Sequence, residues 1–255
     1  MFENIKKEFT TRTLVLIPIA IAINIAIGEL VVRLKLPVYL DRIGTVLVGA
    51  IAGPWAGALT GGLANLIWGL FNPFAAPFFY VAAAIGLMAG LAGKRGAFQN
   101  ETPRWVSVVV GAVFVFSLTL FILAFINAST DETGYTSYPS MSQLFSQYLV
   151  VFILAILVGA AIGYFLLQKG GYAGMWGLIT GIVAAIISAP TAAYVFGGVT
   201  GSGTDLLVAA FRASGGGILA SVLAQGSVSD PFDKMLSFMV VWLIIRALPA
   251  RFTSR

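Results

Sequence analysis

The sequence contains no cysteine and no histidine, and only 10% of its 255 residues are charged. Without cysteine, the chain can form neither a disulfide framework nor a thiolate metal site or nucleophile. Without histidine, it lacks the commonest metal ligand and the commonest general base. A Gly-x-x-x-x-Gly-Lys-Ser/Thr loop for ATP is also missing. We therefore expect a non-enzymatic protein with no metal site, no catalytic residues and no cofactor.

Apolar residues are what the chain has in excess. They make up 59% of the sequence, and the mean hydropathy is +0.95. An ordinary soluble domain carries about a quarter charged residues, and a soluble globule could not cover its surface with so few. The composition therefore predicts an all-α, polytopic bundle of transmembrane helices that forms a single membrane domain over residues 1–255.

The apolar runs predict eight spans, with both termini on the same side of the membrane. Residues 1–12 form a polar N-terminal segment, and the first four helices lie within residues 13–93. A helical hairpin follows in 105–168, and the C-terminal helices occupy 173–250. We expect the second helix to be short, Pro190 to bend or end the seventh, and the Gly-rich segment 197–230 to lie outside without spanning.

Loop charges predict the orientation of the chain. If the N-terminus lies inside, most lysine and arginine residues near the ends of the spans also lie inside, as cytoplasmic loops prefer. Both termini are then cytoplasmic, in a multi-pass protein of a prokaryotic cell membrane. The net charge of +5 reflects this asymmetry and gives no reason to invoke nucleic acid.

A weak internal repeat links the two halves of the sequence. Transporters often carry repeats of this kind, although small residues at helix interfaces could recur by chance equally well. The pattern Gly57-x-x-Thr60-Gly61-x-x-Ala64-x-x-Ile67 recurs as Gly177-x-x-Thr180-Gly181-x-x-Ala184-x-x-Ile187.

Polar and charged residues gather on the predicted outer side at roughly one depth. Because charge against a membrane helix is costly, such residues are functional candidates, and together they predict an outward-opening pocket that orients a ring-shaped ligand. The alternative is that Asp41–Arg42 and Asp233–Lys234 are ion pairs that only lock helix ends. The candidate binding residues are Asp41, Arg42, Asn65, Trp68, Asn72, Asp205, Arg212 and Asp233.

Several segments resemble one family of membrane proteins. Residues 36–44, with the sequence LPVYLDRIG, lead into residues 49–61, with the sequence GAIAGPWAGALTG. A Pro-bearing first loop, a Gly-Pro-x-x-Gly turn and a small-residue third helix are similar to those of the substrate-binding S components of energy-coupling factor (ECF) transporters. Residues 196–205 and 230–249 resemble the C-terminal part of a larger branch. The resemblance covers about two thirds of the chain.

The resemblance implies a high-affinity binder of a vitamin or related small ring compound. Such a subunit works with a transmembrane coupling (T) protein and two ATPase subunits, and releases its ligand inside. Ala22 and Ala26 fit the Ala-x-x-x-Ala pattern by which S components dock on the coupling protein. The common S-component core has six helices, so the resemblance implies about six to eight spans, with 105–168 as a possible added hairpin.

A proton- or ion-coupled secondary transporter is the alternative function. Repeated halves and acidic residues within or beside membrane helices suit that class. Glu29, Asp41 or Asp233 would then carry the coupling proton. Glu29 also lies four residues before Arg33, a spacing that predicts an ion pair on one helix face.

Overall fold

The computed structural model describes residues 5–36, 38–131 and 136–249. They form a bundle of α-helices with one two-stranded antiparallel hairpin. The helices are α1 (Thr11–Arg33), α2 (Ile43–Ala52), α3 (Pro54–Trp68), α4 (Phe79–Lys94), α5 (Arg104–Ile126), α6 (Met141–Leu166), α7 (Gly171–Tyr194), α8 (Asp205–Ala213) and α9 (Ile218–Ala247); a 3₁₀ turn (Ala76–Phe78) precedes α4, and strands β1 (Ser129–Thr130) and β2 (Thr136–Ser137) lie between α5 and α6.

Five helices of the described residues are long and apolar enough to cross a membrane: α1, α4 with its 3₁₀ turn, α5, α6 and α7. Helices α2 and α3 are shorter, with 10 and 15 residues, and α9 is long but carries charged residues near its middle. The surfaces of α5 and α6 expose many large apolar side chains, as lipid contact requires. The predicted helical membrane bundle is confirmed.

The break between α2 and α3 has a local cause. Gly53 has φ +135°, a conformation that favours glycine, and Pro54 takes the first position of α3, where its missing N–H is not needed. The buried Glu8 carboxylate accepts hydrogen bonds from the N–H groups of Trp55 (2.8 Å) and Ala56 (3.2 Å). Lys94 donates to the same carboxylate at 3.2 Å. One acidic side chain thus caps α3 and ties it to the end of α4.

Replacing Glu8 with alanine should lower stability. The substitution leaves the N–H groups of Trp55 and Ala56 without their hydrogen-bond acceptor. Loss of an N-terminal cap costs about 0.5–2 kcal/mol of stability. The midpoint of thermal unfolding in detergent should fall, whereas Glu101→Ala, at an exposed position, should leave it unchanged. An equal shift in both variants would contradict the capping role.

Small residues bring helix backbones into direct contact. Gly57 and Gly61 of α3 lie against the backbone of α4, and Gly177 and Gly181 of α7 lie against the backbone of α9. A Cβ atom at any of these positions would meet backbone atoms of the facing helix at less than 3 Å. The glycines of the sequence repeat therefore hold equivalent contacts in both halves, as small residues do in membrane helix pairs.

The C-terminal third contains more helix than the sequence indicated. Helix α7 continues past Pro190 to Tyr194, because proline is tolerated within helices that pack against neighbours in a membrane, so Pro190 does not end the helix. Residues 218–230, which were assigned to a Gly-rich outer segment, instead form the first half of α9. Three glycines, Gly215 to Gly217, separate α8 from α9, and Gly215 has φ +89°. The Gly-rich segment therefore contains all of α8 and the first half of α9.

Candidate ligand cavity

A cavity open on one side lies between the α1–α4 region and the α7–α9 region. The space between its walls, with the open mouth included, amounts to about 940 Å³. The α1–α4 side supplies Val32, Tyr39, Asp41, Arg42, Asn65, Trp68, Asn72, Phe74, Ala75, Phe78, Val81 and Ile85, and the α7–α9 side supplies Ala184, Ser188, Ala192, Gly198, Thr200, Ser202, Asp205, Val208, Val222, Gln225, Asp230 and Lys234.

One wall carries a buried ion pair where α2 begins. Arg42 and Asp41 form a salt bridge of 3.0 Å between Nη2 and Oδ2, and both side chains are more than nine-tenths buried. Arg42 also donates from Nη1 to Oδ1 of Asn65 at 2.7 Å, and Asn65 in turn donates to the carbonyl oxygen of Ala75 at 3.0 Å. Two polar atoms of the ion pair, Asp41 Oδ1 and Arg42 Nε, are buried and make no hydrogen bond within the part of the chain that the structure describes. Because a buried unpaired group is costly, this ion pair is incompletely satisfied.

The loop between α1 and α2 is fastened to α9 by one carboxylate. Asp233, which is fully buried, accepts hydrogen bonds from the N–H groups of Tyr39 (2.9 Å) and Leu40 (2.7 Å) at its Oδ1 atom. Its Oδ2 atom pairs with Lys234. Leu40 has φ +50°, a conformation that is uncommon for residues other than glycine. The contact with Asp233 therefore holds the loop in a conformation that it would otherwise rarely adopt.

A second loop, residues 195–204, closes the cavity from the α8 side. The Asp205 carboxylate accepts hydrogen bonds from the N–H and hydroxyl groups of Thr200 (3.0 and 2.9 Å) and from the N–H of Gly201 (2.8 Å). Burial raises the pKa of Asp205 above its ordinary value, while these hydrogen bonds oppose the shift. The hydroxyl groups of Tyr39 and Thr204 lie 2.8 Å apart and join this loop to the first one.

Aromatic rings supply flat surfaces in and beside the cavity. The indole of Trp68 is buried and donates from Nε1 to Oε2 of Glu29 at 3.2 Å, and Glu29 pairs with Arg33 at 2.9 Å. Phe78 stacks on Phe196 with ring centroids 5.7 Å apart, and Phe74 lies 5.2 Å from the same ring. The rings therefore connect the turn before α4 to the loop after α7.

The structure brings six of the eight candidate binding residues to the cavity: Asp41, Arg42, Asn65, Trp68, Asn72 and Asp205. Asp233 lies behind the wall, and Arg212 is exposed near the end of α8 and does not line the cavity. Seven polar lining residues were not among the candidates: Tyr39, Ser188, Thr200, Ser202, Gln225, Asp230 and Lys234. The spacing of Asp230 and Lys234, four residues apart, would have placed both on one helix face had this segment been predicted as a helix.

The two proposed docking residues lie elsewhere. Ala22 and Ala26 are exposed on α1, and neither lines the cavity. The neighbouring apolar side chains Val15, Ile19 and Ile23 are exposed as well. This face of α1 is therefore open to lipid or to another subunit.

The sequence of this chain matches a known protein family. Residues 8–173, well over half of the chain, match the family described as the ECF-type riboflavin transporter, S component. The chain belongs to this family. Searches of curated proteins and of solved structures found no significant match. Membership shows an ECF substrate-binding subunit for a vitamin, a multi-pass membrane protein with a role in transport.

The matched region supplies only part of the cavity of this S component. It ends near the start of α7, so the α1–α4 side of the cavity lies within it. The lining residues of α7, α8 and α9 lie beyond residue 173. The cavity therefore lies between the matched region and a C-terminal region that the family match does not describe.

Proposed function

We propose that this subunit captures a vitamin from outside a prokaryotic cell and delivers it inward with a transmembrane coupling protein and two ATPase subunits. Riboflavin is the first ligand to test, because the matching family is described by that vitamin. The observation that carries the proposal is the cavity itself. It combines a buried polar network with flat aromatic surfaces, the pattern expected of a small-molecule site, and it lies in a chain of the S-component family.

The lining residues suggest how a ring-shaped ligand is held. Trp68, Phe74 and Phe78 offer apolar faces to the ring. The hydrogen bond from Arg42 to Asn65 positions both side chains to orient the polar edge of the ligand. The loop of residues 38–42 contributes Tyr39 and Asp41 to the wall and is fastened by Asp233. Asp233 therefore acts as a positioning residue for the loop, and Arg212 has no contact role.

The exposed face of α1 is the proposed contact with the coupling protein. The small side chains of Ala22 and Ala26 let another helix approach closely. Ala22→Leu with Ala26→Leu should reduce copurification of the coupling subunit while leaving ligand binding unchanged, because neither residue lines the cavity.

Binding of riboflavin to the purified protein tests the ligand. Flavin fluorescence should be quenched on titration, and Arg42→Ala should weaken binding about tenfold or more, because a hydrogen bond from a charged group contributes about 1.5–3 kcal/mol. Arg212→Ala is the matched control and should bind as wild type. Equal binding by both variants would show that the ligand does not use this cavity.

Copurification from native membranes tests the assembly. Recovery of a coupling subunit with two ATPases supports the importer. Recovery of the protein alone under mild detergent, with uptake that depends on pH or membrane potential, would instead favour the proton- or ion-coupled secondary transporter.

A further inference from the structure

Exposed arginine residues gather at one end of the helix bundle, which we call the basic end. It is formed where α4, α6 and α9 end and where α5 and α7 begin. The loops there pack together, because the N–H of Thr102 donates to the carbonyl oxygen of Gln168 (3.1 Å) and the N–H of Tyr172 donates to the Thr102 hydroxyl group (2.6 Å). Gly170 lies against the ring of Trp242, which joins the end of α9 to the same loops. The basic end is therefore one continuous surface.

This surface is separate from the ligand cavity. Arg95 lies about 15 Å beyond the lining residue Ile85 along α4, and Trp242 lies about 12 Å beyond the lining residue Lys234 along α9. No arginine of the basic end lines the cavity. A role for these arginines must therefore be sought outside ligand capture.

Three arginine side chains of the basic end share one arrangement, in which an exposed guanidinium group lies over an aromatic ring. The pairs are Arg95 over Trp176 (5.4 Å to the ring centre), Arg104 over Tyr164 (5.3 Å) and Arg246 over Trp242 (5.0 Å). Within the described part of the chain, none of the three forms an ion pair, and the exposed Glu101 nearby pairs with none of them. Arg104 uses one of its donors on the Tyr164 hydroxyl group at 3.0 Å. Most of the five N–H donors of each guanidinium group therefore remain unused.

Apolar surface adjoins these charges where α5 begins and α6 ends. Trp105 is 67% exposed, and Phe165 and Leu166 are 73% and 74% exposed. Exposed apolar side chains continue along α6, as contact with lipid chains requires. A molecule bound at this edge would meet cationic donors at the end of the helices and apolar side chains beside them. A phospholipid has that division, with a charged headgroup above acyl chains.

We propose that the basic end binds the headgroups of anionic phospholipids, with Arg95, Arg104 and Arg246 as the phosphate-binding side chains. A planar guanidinium group can donate two parallel hydrogen bonds to phosphate oxygens. The ring beneath each group restricts its side chain beforehand, which reduces the entropy lost on binding. An acidic protein segment would satisfy the charges but would leave the apolar edge beside Arg104 uncovered. Membrane topology alone requires positive charge near helix ends and does not require the rings.

Tryptophan fluorescence in bilayers of defined composition tests the proposal. Four of the five tryptophans lie at the basic end and report on lipids bound there: Trp55, Trp105, Trp176 and Trp242. The purified protein is placed in phosphatidylcholine bilayers that contain rising fractions of brominated phosphatidylglycerol, an anionic quencher. Both leaflets have the same composition, so the result does not depend on orientation. We expect preferential quenching by phosphatidylglycerol over brominated phosphatidylcholine, and a roughly fivefold lower relative affinity for phosphatidylglycerol in Arg104→Gln.

Two matched variants separate the arginine sites from a general attraction of charge. Lys169→Gln removes an exposed positive charge from the same end, in the loop between α6 and α7, where no described ring supports it. It should lower the relative affinity less than about twofold, as expected of an exposed charge on a flexible side chain. Arg212→Gln removes an exposed arginine near the end of α8, at the opposite end of the bundle, and should have no effect. All three variants should keep the thermal unfolding midpoint of the wild type.

Three outcomes would overturn the proposal. The first is equal quenching of the wild-type protein by the two brominated lipids. The second is an equal loss in Lys169→Gln and Arg104→Gln, which would leave only a general attraction between positive charge and the membrane surface. The third is a preference abolished by millimolar inorganic phosphate, which would make the sites receptors for free phosphate. Riboflavin takes no part in the experiment, so its result is independent of the proposed function.

Discussion

Replacing Asp233 with alanine is expected to give the largest loss of stability of any single side-chain truncation considered for this protein, about 3–5 kcal/mol. The substitution leaves Lys234 buried without its partner and removes both hydrogen bonds to the backbone of Tyr39 and Leu40. Ligand binding should weaken as well, because the released loop carries Tyr39 and Asp41 into the cavity wall. A drop in the thermal unfolding midpoint and a loss of flavin quenching would be measured on the same sample.

A second variant separates the charge of Asp233 from its hydrogen bonds. Asp233→Asn can still accept hydrogen bonds from the two loop N–H groups but no longer compensates the charge of Lys234. We expect it to lose stability while retaining more ligand affinity than Asp233→Ala. Glu101→Ala, at an exposed position, is the control for loss of a carboxylate. Wild-type stability and binding in Asp233→Ala would refute the fastening of the loop.

Some contacts of Asp233 could be predicted from the sequence and others could not. Adjacent opposite charges at Asp233 and Lys234 suggest an ion pair directly from the sequence, and the structure contains one. The hydrogen bonds to Tyr39 and Leu40 join residues more than 190 positions apart, and no local pattern encodes that distance. The sequence therefore suggested that Asp233 matters but placed it in contact with ligand instead of behind the loop.

The two interpretations of the Asp41–Arg42 pair turn out to be compatible in geometry. The residues form the ion pair that the structural alternative required, and they also line the cavity that the binding hypothesis required. An ion pair that lines a cavity can still present its accessible atoms to a ligand, and both members of this pair belong to the cavity wall. Pairing alone therefore does not argue against a role in binding.

The helices were more predictable than the site. Long apolar runs encode α5 and α6 locally, and the structure places their ends within a few residues of the runs. The first half of α9 was missed because glycines and serines around Gly226 lower helix propensity, while its packing against α7 stabilises it as a helix. That omission also hid Gln225, one of the lining residues. The cavity depends on tertiary packing between helices, which helix propensity alone does not predict.

Neighbouring glycines in α3 provide a test of that packing. Gly61→Ala should destabilise the protein by about 1–3 kcal/mol, the usual cost of overpacking, because its Cβ would clash with the carbonyl group of Ala82 in α4. Ligand binding should weaken too, since separating α3 from α4 moves Asn65 and Trp68 away from Val81 across the cavity. Thermal unfolding in detergent and flavin titration would measure both effects.

Gly62→Ala is the matched control, one residue along the same helix. Its Cβ would lie 3.8 Å from the nearest atoms, an ordinary van der Waals contact. In a helix interior, alanine is favoured over glycine by about 1 kcal/mol, so this variant should be as stable as wild type or more so, and it should bind ligand normally. Both substitutions replace glycine with alanine in the same helix. Stability changes of opposite sign can therefore come only from contacts with the facing helix. Equal effects of both variants would show that contact between the α3 and α4 backbones does not determine the shape of the cavity.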